Sequence, residues 1–178
     1  MEMDLEGLYS LDLQALALEL AERIRSPRVV DAFCGIGGAA IAFARRGKQV
    51  DAIELQASRL DMARRNAQRF GVEDRIHFLE GDCTEKLEPA ADTAIYLDPP
   101  WGGPAYGKLE QFRLKDFSPD GATLLRQALA VSPEVLFKLP KNFDFADLQR
   151  ISAPTAILRN EFRGNLEYYT AVFLRNGG

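Results

Sequence analysis

An Asp-Pro-Pro-Trp run follows an apolar stretch of the chain, within the sequence YLDPPWGGPAY at residues 96–106. The Asp98 carboxylate and the Pro99 carbonyl can accept hydrogen bonds from the two N–H groups of an exocyclic amine, which would turn its nitrogen lone pair towards an electrophile. Prolines fix the backbone and bring no competing N–H donor. The chain's single tryptophan, Trp101, offers a flat base a stacking surface. The motif therefore predicts activation of an amino group by a catalytic segment that consists of Asp98, Pro99, Pro100 and Trp101.

The residues after the tryptophan are candidates for contact with the substrate. Glycines at this point would let a substrate approach closely, and a further aromatic side chain would add a second stacking surface. The predicted substrate-binding residues are Trp101, Gly103 and Tyr106. We further expect the loop at residues 107–119, which carries Lys108, Arg113 and Lys115, to close over the substrate and to contact phosphate.

A second group of chemistry-bearing residues is the glycine-rich sequence DAFCGIGGAA at residues 31–40. The spacing of Gly35, Gly37 and Ala40 fits the dinucleotide-binding fingerprint, in which glycines let the backbone approach a ligand at the start of a helix. Glu54 follows about 20 residues later, where such proteins place a carboxylate that binds ribose. The same geometry serves S-adenosylmethionine, so the glycine turn alone leaves both cofactors open.

Two further carboxylates favour S-adenosylmethionine over a dinucleotide. Asp31 lies at the end of an apolar run, where a carboxylate needs a partner, and the ammonium of the methionine part would provide one. Asp82 follows the third predicted strand, where it would accept a hydrogen bond from the adenine amino group, with a turn cap as its alternative role. The predicted cofactor-binding residues are Asp31, Phe33, Cys34, Gly35, Gly37, Gly38, Glu54, Leu55, Asp82, Cys83 and Asp98.

Cysteine and metal chemistry are not expected. Methylation at carbon 5 of a pyrimidine requires a cysteine nucleophile, and Cys34 and Cys83 both fall in the cofactor half of the chain. The two cysteines and the one histidine lack the spacing of metal ligands. Both cysteines are instead expected to be small residues that pack or that contact the cofactor through their backbone.

Alternating strands and helices must hold these residues at one edge of a sheet. Strands are predicted at RVVDAF, QVDAIE, RIHFLE, TAIYLD and EVLFKLP, with a terminal hairpin from TAILRNEF and LEYYTAVFLR. Helices are predicted at residues 12–25, 39–47, 58–71, 120–130 and 144–151, the third of them capped by Ser58 and stopped by Gly71. We therefore predict an α/β fold of the Rossmann-like class I methyltransferase type. Its seven-stranded sheet is mostly parallel, with helices on both faces and a C-terminal antiparallel hairpin.

Length, charge and composition further limit the functions that the chain can have. The 178 residues favour one domain, 1–178, in which residues 1–27 form a short helical extension. A net charge of −4 argues against a broad electrostatic grip on nucleic acid phosphates, so any RNA contact should be local. Neither a cleavable leader nor an apolar run of about 18 residues is found, which predicts a cytoplasmic protein without a membrane span. The oligomeric state stays open.

Four stretches of the sequence share a family likeness, namely VVDAFCGIGG, AIELQASRLDMARRNAQRFGV, FLEGD and DPPWGGPAY. They resemble the RNA cap guanine-N2 methyltransferases, the trimethylguanosine synthases. The resemblance runs from about Val29 to the final hairpin and includes FKLPKN at residues 137–142. It implies that Trp101 stacks on the methylated guanine, that Glu54 binds ribose and that Asp82 contacts adenine. The chain departs from the family in its short N-terminal stretch and in Asp98, where eukaryotic members have serine.

The residues and the resemblance together predict a methyltransferase that uses S-adenosylmethionine to methylate the exocyclic N2 amine of guanine, in RNA or in a guanine nucleotide. The Asp/Asn-Pro-Pro-aromatic signature is shared by enzymes that methylate adenine N6 or a protein glutamine amide, and both remain alternatives. An acidic surface suits a protein substrate better than RNA. A module that binds S-adenosylmethionine without turnover is a third, less favoured reading. The expected partner is RNA or a guanine nucleotide, with neither a membrane nor a metal.

Overall fold

A seven-stranded sheet forms the centre of the protein. The computed structural model describes residue 2, residues 14–101 and residues 109–175. Its strands are β1 Arg28–Asp31, β2 Gln49–Glu54, β3 Ile76–Glu80, β4 Thr93–Leu97, β5 Glu134–Leu139, β6 Ala156–Phe162 and β7 Asn165–Leu174, in the order β3-β2-β1-β4-β5-β7-β6. Strand β7 runs antiparallel to β5 and β6, and the other neighbours are parallel. The predicted α/β class, the mostly parallel sheet and the C-terminal hairpin are confirmed.

Helices connect most of the parallel strands. They are α1 Gln14–Arg23, α2 Gly38–Arg45, α3 Ala57–Phe70, α4 Cys83–Lys86, α5 Gly121–Val131 and α6 Ala146–Gln149, with 3₁₀ turns at Glu73–Arg75 and Leu114–Asp116. The five helices predicted from the sequence each overlap one of these, and the single turn α4 was not predicted. Within the described ranges no helix is long and apolar enough to cross a bilayer.

Helix α3 begins differently from the prediction. It starts at Ala57, and the residue before it, Gln56, has an extended backbone and makes no side-chain capping bond. The predicted cap at Ser58 is therefore wrong. The reason is Glu54, whose Oε1 accepts the Gln56 N–H at 2.9 Å, so the chain turns into the helix before Ser58 is reached. Gly71 ends the helix as predicted, with a left-handed φ of 64°.

The core consists of two apolar layers, one on each face of the sheet. Side chains alternate along a strand, so Tyr96 of β4 faces the first layer and its neighbours Ile95 and Leu97 face the second. In the first layer Tyr96 meets Phe43 of α2 edge to face, with ring centres 5.3 Å apart. All five residues of β4 are buried, which is expected of a parallel strand covered on both faces.

Strand β1 lies at the point where the chain order of the sheet reverses. Asp31, its last residue, is in register with Ala52 of β2 on one side and with Tyr96 of β4 on the other. In open α/β sheets ligands bind beyond the carboxyl ends of the strands at such a point. The fold therefore places the residues that follow β1, β2 and β4 around one crevice.

A buried carboxylate fixes the opposite, amino end of β5. Glu134 accepts the backbone N–H groups of Arg25 and Ser26 at 3.0 and 2.8 Å, and the Ser26 hydroxyl at 2.8 Å. Both backbone donors lie in the connection between α1 and β1. The side chain thus ties α1 to the centre of the sheet, far along β5 from the crevice.

Replacement of Glu134 by alanine should lower the free energy of unfolding by about 2–4 kcal/mol, because buried donors would lose their acceptor. Unfolding in urea measures this. Glu161→Ala is the matched control, since its carboxylate pairs with Arg159 at 2.7 Å on the surface and should leave the unfolding midpoint nearly unchanged. Equal losses in the two variants would contradict the role assigned to Glu134.

Candidate active site

A glycine turn joins the end of β1 to α2. The backbone is left-handed at Gly35 and Gly37, with φ of 52° and 92°, a conformation that glycine adopts without strain. The Cys34 N–H donates to the Ile53 carbonyl at 2.8 Å and so bonds the turn to β2. A Cβ on Gly37 would lie 3.2 Å from the Cβ of Ala63, so α3 packs directly against the turn. The turn is therefore held between β2 and α3.

The space in front of Gly35 is open, since a Cβ there would meet no atom within 4 Å. The Gly35 N–H donates to Glu54 Oε2 at 3.0 Å, and Glu54 Oε1 accepts the Gln56 N–H at 2.9 Å. Both oxygens of this carboxylate are thus oriented by backbone donors. A carboxylate has about four acceptor positions, so Glu54 retains capacity for a ligand hydroxyl. The carboxylate predicted to bind ribose lies directly beside the glycine turn.

Apolar and acidic side chains flank this opening. Leu55, the residue after Glu54, is 68% exposed and offers an apolar surface suited to a flat ring. Phe33 is partly buried and packs on the second core layer. Asp31, at the end of β1, is only 1% exposed, so its carboxylate lies inside the protein where the strand leads into the turn.

Asp82 follows β3 and begins α4. Its Oδ1 accepts the Thr84 N–H at 2.8 Å and the Thr84 hydroxyl at 2.7 Å, which is the turn-capping role considered from the sequence. The preceding Gly81 donates its N–H to the Glu54 carbonyl at 3.0 Å, so Asp82 lies close to the end of β2. The cap occupies Oδ1, and the adenine contact stays a prediction.

Both cysteines are buried beside these strand ends. Burial raises the pKa of the Cys34 thiol well above its ordinary value, and the nearby carboxylates of Asp31 and Glu54 raise it further. Burial also raises the pKa of the Cys83 thiol to about 12. Because the thiolate is the reactive form of cysteine, neither residue offers a nucleophile near neutral pH. Their environment is that of packing residues.

The Asp-Pro-Pro-Trp motif continues β4 beyond the sheet. The Tyr96 carbonyl accepts the Ala32 N–H at 3.0 Å, which joins the end of β4 to the residue that follows β1. The Pro100 carbonyl accepts the Ser118 N–H at 3.4 Å and so ties the motif to the segment before α5. Trp101 is half-buried and packs on the second core layer. The motif and the glycine turn therefore meet across the β1–β4 pair.

Lys138 of β5 is part of this site, although the sequence analysis gave it no role. Its Nζ lies 2.8 Å from Asp98 Oδ2. The same ammonium lies 5.6 Å from the centre of the Trp101 ring and 4.6 Å from that of Tyr168 of β7. The signal was the single charged residue in the apolar run VLFKL, because a lysine in a buried strand needs a partner.

In the described part of the predicted covering loop, Phe112, Leu114 and Phe117 are buried in the core. Phe112 forms an isolated bridge with Phe143, and Phe117 lies 5.0 Å from the ring of Phe137 in β5. Residues 112–117 therefore form a wall next to the motif that is anchored in the core by its apolar side chains. Beyond this wall lies a groove of about 240 Å³ whose charged lining residues are Arg113, Lys115, Asp120, Arg126, Asp147 and Arg150. The predicted phosphate contact stays a prediction.

The predicted site residues that the structure describes lie at one edge of the sheet. Apart from Asp98, the cofactor set lies at or after the ends of the first three strands, and Gly38 is the first residue of α2. Asp98, Pro99, Pro100 and Trp101 follow β4 directly. Gly103, Tyr106 and Lys108 lie outside the described residues. Among the side chains that the structure places, no three from histidine, cysteine, aspartate and glutamate are grouped to hold a metal ion.

Residues 26–173 match the family model described as RNA cap guanine-N2 methyltransferase. The chain belongs to this family. The matched range runs from the residues before β1 into β7 and so contains each strand end described above. Membership confirms the resemblance read from the sequence and assigns the protein to the methyltransferases that use S-adenosylmethionine.

Curated relatives of this guanine-N2 methyltransferase family member include two yeast proteins. Trimethylguanosine synthase of Schizosaccharomyces pombe is 31% identical over 157 residues, which are 82% of this chain and 65% of the relative. The Saccharomyces cerevisiae trimethylguanosine synthase is 31% identical over 154 residues, 80% of this chain and 49% of the relative. The chain thus spans about half to two thirds of their lengths. Release factor glutamine methyltransferase of Chlorobaculum tepidum is 30% identical over 153 residues, 82% of this chain and 47% of that protein.

Solved structures share the fold of this family member. A candidate methyltransferase from Porphyromonas gingivalis W83 superposes with a TM-score of 0.76 at 20% identity, over 98% of this chain and 43% of that one. An RNA methyltransferase from Salinibacter ruber, in complex with S-adenosyl-L-homocysteine, gives a TM-score of 0.55 at 21% identity, over 98% of this chain and 94% of that one. These likenesses support the Rossmann-like class I architecture.

The residues present fit the methyl donor that the family uses. The open space at Gly35 leaves room for a ligand against the backbone. Glu54 supplies an oriented acceptor for hydroxyl groups, and Leu55 supplies an exposed apolar surface beside it. The acceptor suits the ribose hydroxyls of S-adenosylmethionine, and the apolar surface suits its purine ring.

Gly35→Ala should weaken binding of S-adenosylmethionine by about tenfold or more, because the added methyl group would fill the open space beside Glu54. Gly71→Ala is the matched control, since Gly71 is also left-handed, with φ of 64° and no atom within 4 Å of an added Cβ. Both variants should lose about 1 kcal/mol of stability. Calorimetric titration measures the affinity for the donor, and thermal unfolding measures the stability of each variant. Unchanged donor affinity in Gly35→Ala would contradict the binding of S-adenosylmethionine in the space at Gly35.

Alkylation of Cys34 and Cys83 by iodoacetamide should be slow in the folded protein and should not accelerate between about pH 7 and about pH 9, because an exposed thiol ionises in that range and these do not. Mass spectrometry of timed samples measures the reaction. Protein unfolded in guanidinium serves as the reference and should react at both cysteines. A rate in the folded protein that rises with pH as it does in the unfolded reference would contradict the burial argument.

Proposed function

We propose that the protein transfers a methyl group from S-adenosylmethionine to the exocyclic N2 amine of guanine, in RNA or in a guanine nucleotide. The observation that carries this proposal is the Asp98-Pro99-Pro100-Trp101 segment, which directly follows β4 and lies across the β1–β4 pair from the glycine turn. Family membership supports guanine N2 as the acceptor. The two yeast relatives, trimethylguanosine synthases by name, support it as well.

The first half of the chain would hold the methyl donor. In this proposal Glu54 accepts from the ribose hydroxyls, and Asp31 faces the ammonium of the methionine part. Asp82 retains Oδ2 for the adenine amino group while Oδ1 caps α4. The backbones of Cys34 and Cys83 contribute with the glycines, because their side chains are buried. When bound, S-adenosylmethionine supplies a methyl group made electrophilic by a sulfonium.

The second half would position the acceptor amine. A guanine amine is a poor nucleophile because its lone pair is delocalised into the ring, so acceptors for its two N–H groups are needed to reorient it. Asp98 and the Pro99 carbonyl take this role. The ion pair with Lys138, made through Oδ2 at 2.8 Å, would hold the Asp98 carboxylate in place for the amine.

Trp101 would fix the plane of the base. Trp101 packs on the second core layer and is only partly buried, which suits a stacking surface held in one orientation. Stacking of this kind contributes about 1–3 kcal/mol per base. A strong general base is not required, since the methylated amine becomes acidic and its proton can pass to Asp98 or to water.

A protein glutamine amide is the second candidate acceptor. The similarity to release factor glutamine methyltransferase of Chlorobaculum tepidum supports it, and so does the net charge of −4. An amide nitrogen also carries two N–H groups and a delocalised lone pair, so the same acceptors would serve. Trp101 then has no base to stack on, which is why guanine is preferred.

The deciding experiment incubates the protein with total small RNA, guanine nucleotides and cell extract protein, together with methyl-labelled S-adenosylmethionine. Mass spectrometry of the digested nucleosides should find the label in N2-methylguanosine. Label that enters glutamine and no nucleoside would overturn the guanine proposal in favour of the amide.

Variants of the motif test the assigned roles. Asp98→Asn should lower kcat by about a hundredfold or more, and Trp101→Ala should raise KM for the acceptor by about tenfold to a hundredfold. Donor affinity should stay unchanged in Trp101→Ala. Asp92→Asn is the matched control, because Asp92 is an exposed aspartate just before β4, at the opposite end of the strand. Full kcat in the Asp98→Asn variant would contradict the role of Asp98 in orienting the amine.

A further inference from the structure

Asn66 of α3 is a buried polar residue that contacts the glycine turn. It is 0% exposed. It lies three residues after Ala63, on the face of α3 that packs against Gly37 of the turn. Its Nδ2 donates to the Ile36 carbonyl at 3.0 Å. Asn66 therefore reaches the backbone of the glycine turn from within the core.

The Asn66 amide also binds the backbone of Glu2, near the start of the chain. Asn66 Oδ1 accepts the Glu2 N–H at 2.6 Å, and Nδ2 donates to the Glu2 carbonyl at 2.9 Å. A side-chain amide has two N–H donors, and here one is directed to Glu2 and the other to Ile36. The opposite orientation of the amide would place its oxygen against two carbonyls. The three hydrogen bonds therefore fix the amide in one orientation.

The peptide unit between Ile36 and Gly37 is held at both of its polar ends. Its carbonyl accepts from Asn66, and its N–H, which belongs to Gly37, donates to the Cys34 carbonyl at 2.8 Å. Gly37 has a φ of 92°, and glycine adopts positive and negative φ about equally well, so this peptide unit could otherwise rotate. Asn66 therefore supplies a constraint that glycine itself does not provide.

Asn66 adds to the attachments that hold the turn from Gly35 to Gly37. Glu54 at the end of β2 accepts the N–H of the first residue, and Ala63 packs against the last. Asn66 binds the carbonyl of the middle residue. The space in front of the first residue is open, because no atom lies within 4 Å of a Cβ built there. A ligand in this space would therefore meet a backbone whose shape is set before it binds.

We infer that Asn66 is a positioning residue for the methyl donor, because it holds the glycine turn in the conformation that S-adenosylmethionine binds. Asn66 is fully buried, so it acts through the Ile36 carbonyl and not by contact with the donor. Without its amide, the donor would have to order the turn on binding, and that ordering lowers affinity. The inference concerns the donor alone and does not depend on which acceptor is methylated.

The test is calorimetric titration of the full-length protein with S-adenosylhomocysteine, which binds without turnover. Asn66→Ala should raise the dissociation constant by about tenfold, because the turn loses a hydrogen bond and its order. The binding stoichiometry should stay that of the wild-type protein. A merely structural role would reduce the fraction of folded protein, which lowers the stoichiometry and the unfolding temperature but leaves the dissociation constant unchanged.

Asn66→Leu is the second variant, and it keeps the test valid if Asn66→Ala folds poorly. Leucine has the same branched shape as asparagine and similar volume, so it removes the hydrogen bonds without creating a cavity. It should weaken binding of S-adenosylhomocysteine to a similar extent. Wild-type affinity in Asn66→Leu would show that the volume of the side chain matters and not its bond to Ile36, and the inference would then be wrong.

Two control variants separate the turn from other effects. Arg65→Ala changes the neighbouring residue, whose guanidinium binds the Glu2 carboxylate at 2.8 and 2.9 Å, and it leaves the bond from Asn66 to Ile36 in place. Glu134→Ala removes a buried polar group at the amino end of β5, far from the glycine turn. Both variants should bind S-adenosylhomocysteine within about twofold of the wild-type protein.

The affinities decide whether Asn66 positions the turn. Unchanged affinity in Asn66→Ala and Asn66→Leu, with only a lower unfolding temperature, would overturn the inference and leave Asn66 a residue of the core. An equal loss of affinity in Arg65→Ala would overturn it as well, because the effect would then come from the contact with Glu2. Neither result bears on the guanine proposal, which the RNA labelling experiment decides separately.

Discussion

Strands β1 and β4 lie side by side where the chain order of the sheet reverses, and this adjacency determines where chemistry can take place. The hydrogen bond from the Ala32 N–H to the Tyr96 carbonyl, 3.0 Å long, holds the two strand ends together. The glycine turn leaves from one of them and the Asp-Pro-Pro-Trp motif from the other. A transfer reaction needs both reactants aligned within a few ångströms. The sheet supplies that alignment through backbone hydrogen bonds, before any side chain contributes.

On the acceptor side, the charged groups are held by strands that are distant in sequence. Asp98 follows β4, Lys138 belongs to β5, and Tyr168 comes from β7, which is inserted between β5 and β6. A carboxylate buried without a partner would destabilise this end of the sheet, and the lysine offsets that cost. One ammonium group therefore links three strands at this end of the sheet.

Much of this arrangement could be predicted from the sequence, and the exceptions share a cause. Strand and helix positions follow from local apolar periodicity and from the glycines that interrupt it, so Gly71 ends α3 where expected. Ser58 does not cap α3, because the Glu54 carboxylate accepts the Gln56 N–H and the helix begins before Ser58. That hydrogen bond depends on the conformation of the turn after β2. Lys138 could be noticed as a charge in an apolar strand, but its partner depends on the register of β4 against β5. A contact that depends on how two strands pair cannot be predicted from the residue pattern of one strand.

The order of the elements along the chain has an evolutionary consequence. In the proposed function the donor side is built from β1 to β3 and the acceptor side from β4 to β7, so each half of the reaction would be encoded in one continuous segment. Substitutions after β4 can alter the acceptor while the donor crevice is inherited intact. Relatives that methylate different groups are the expected product of such divergence.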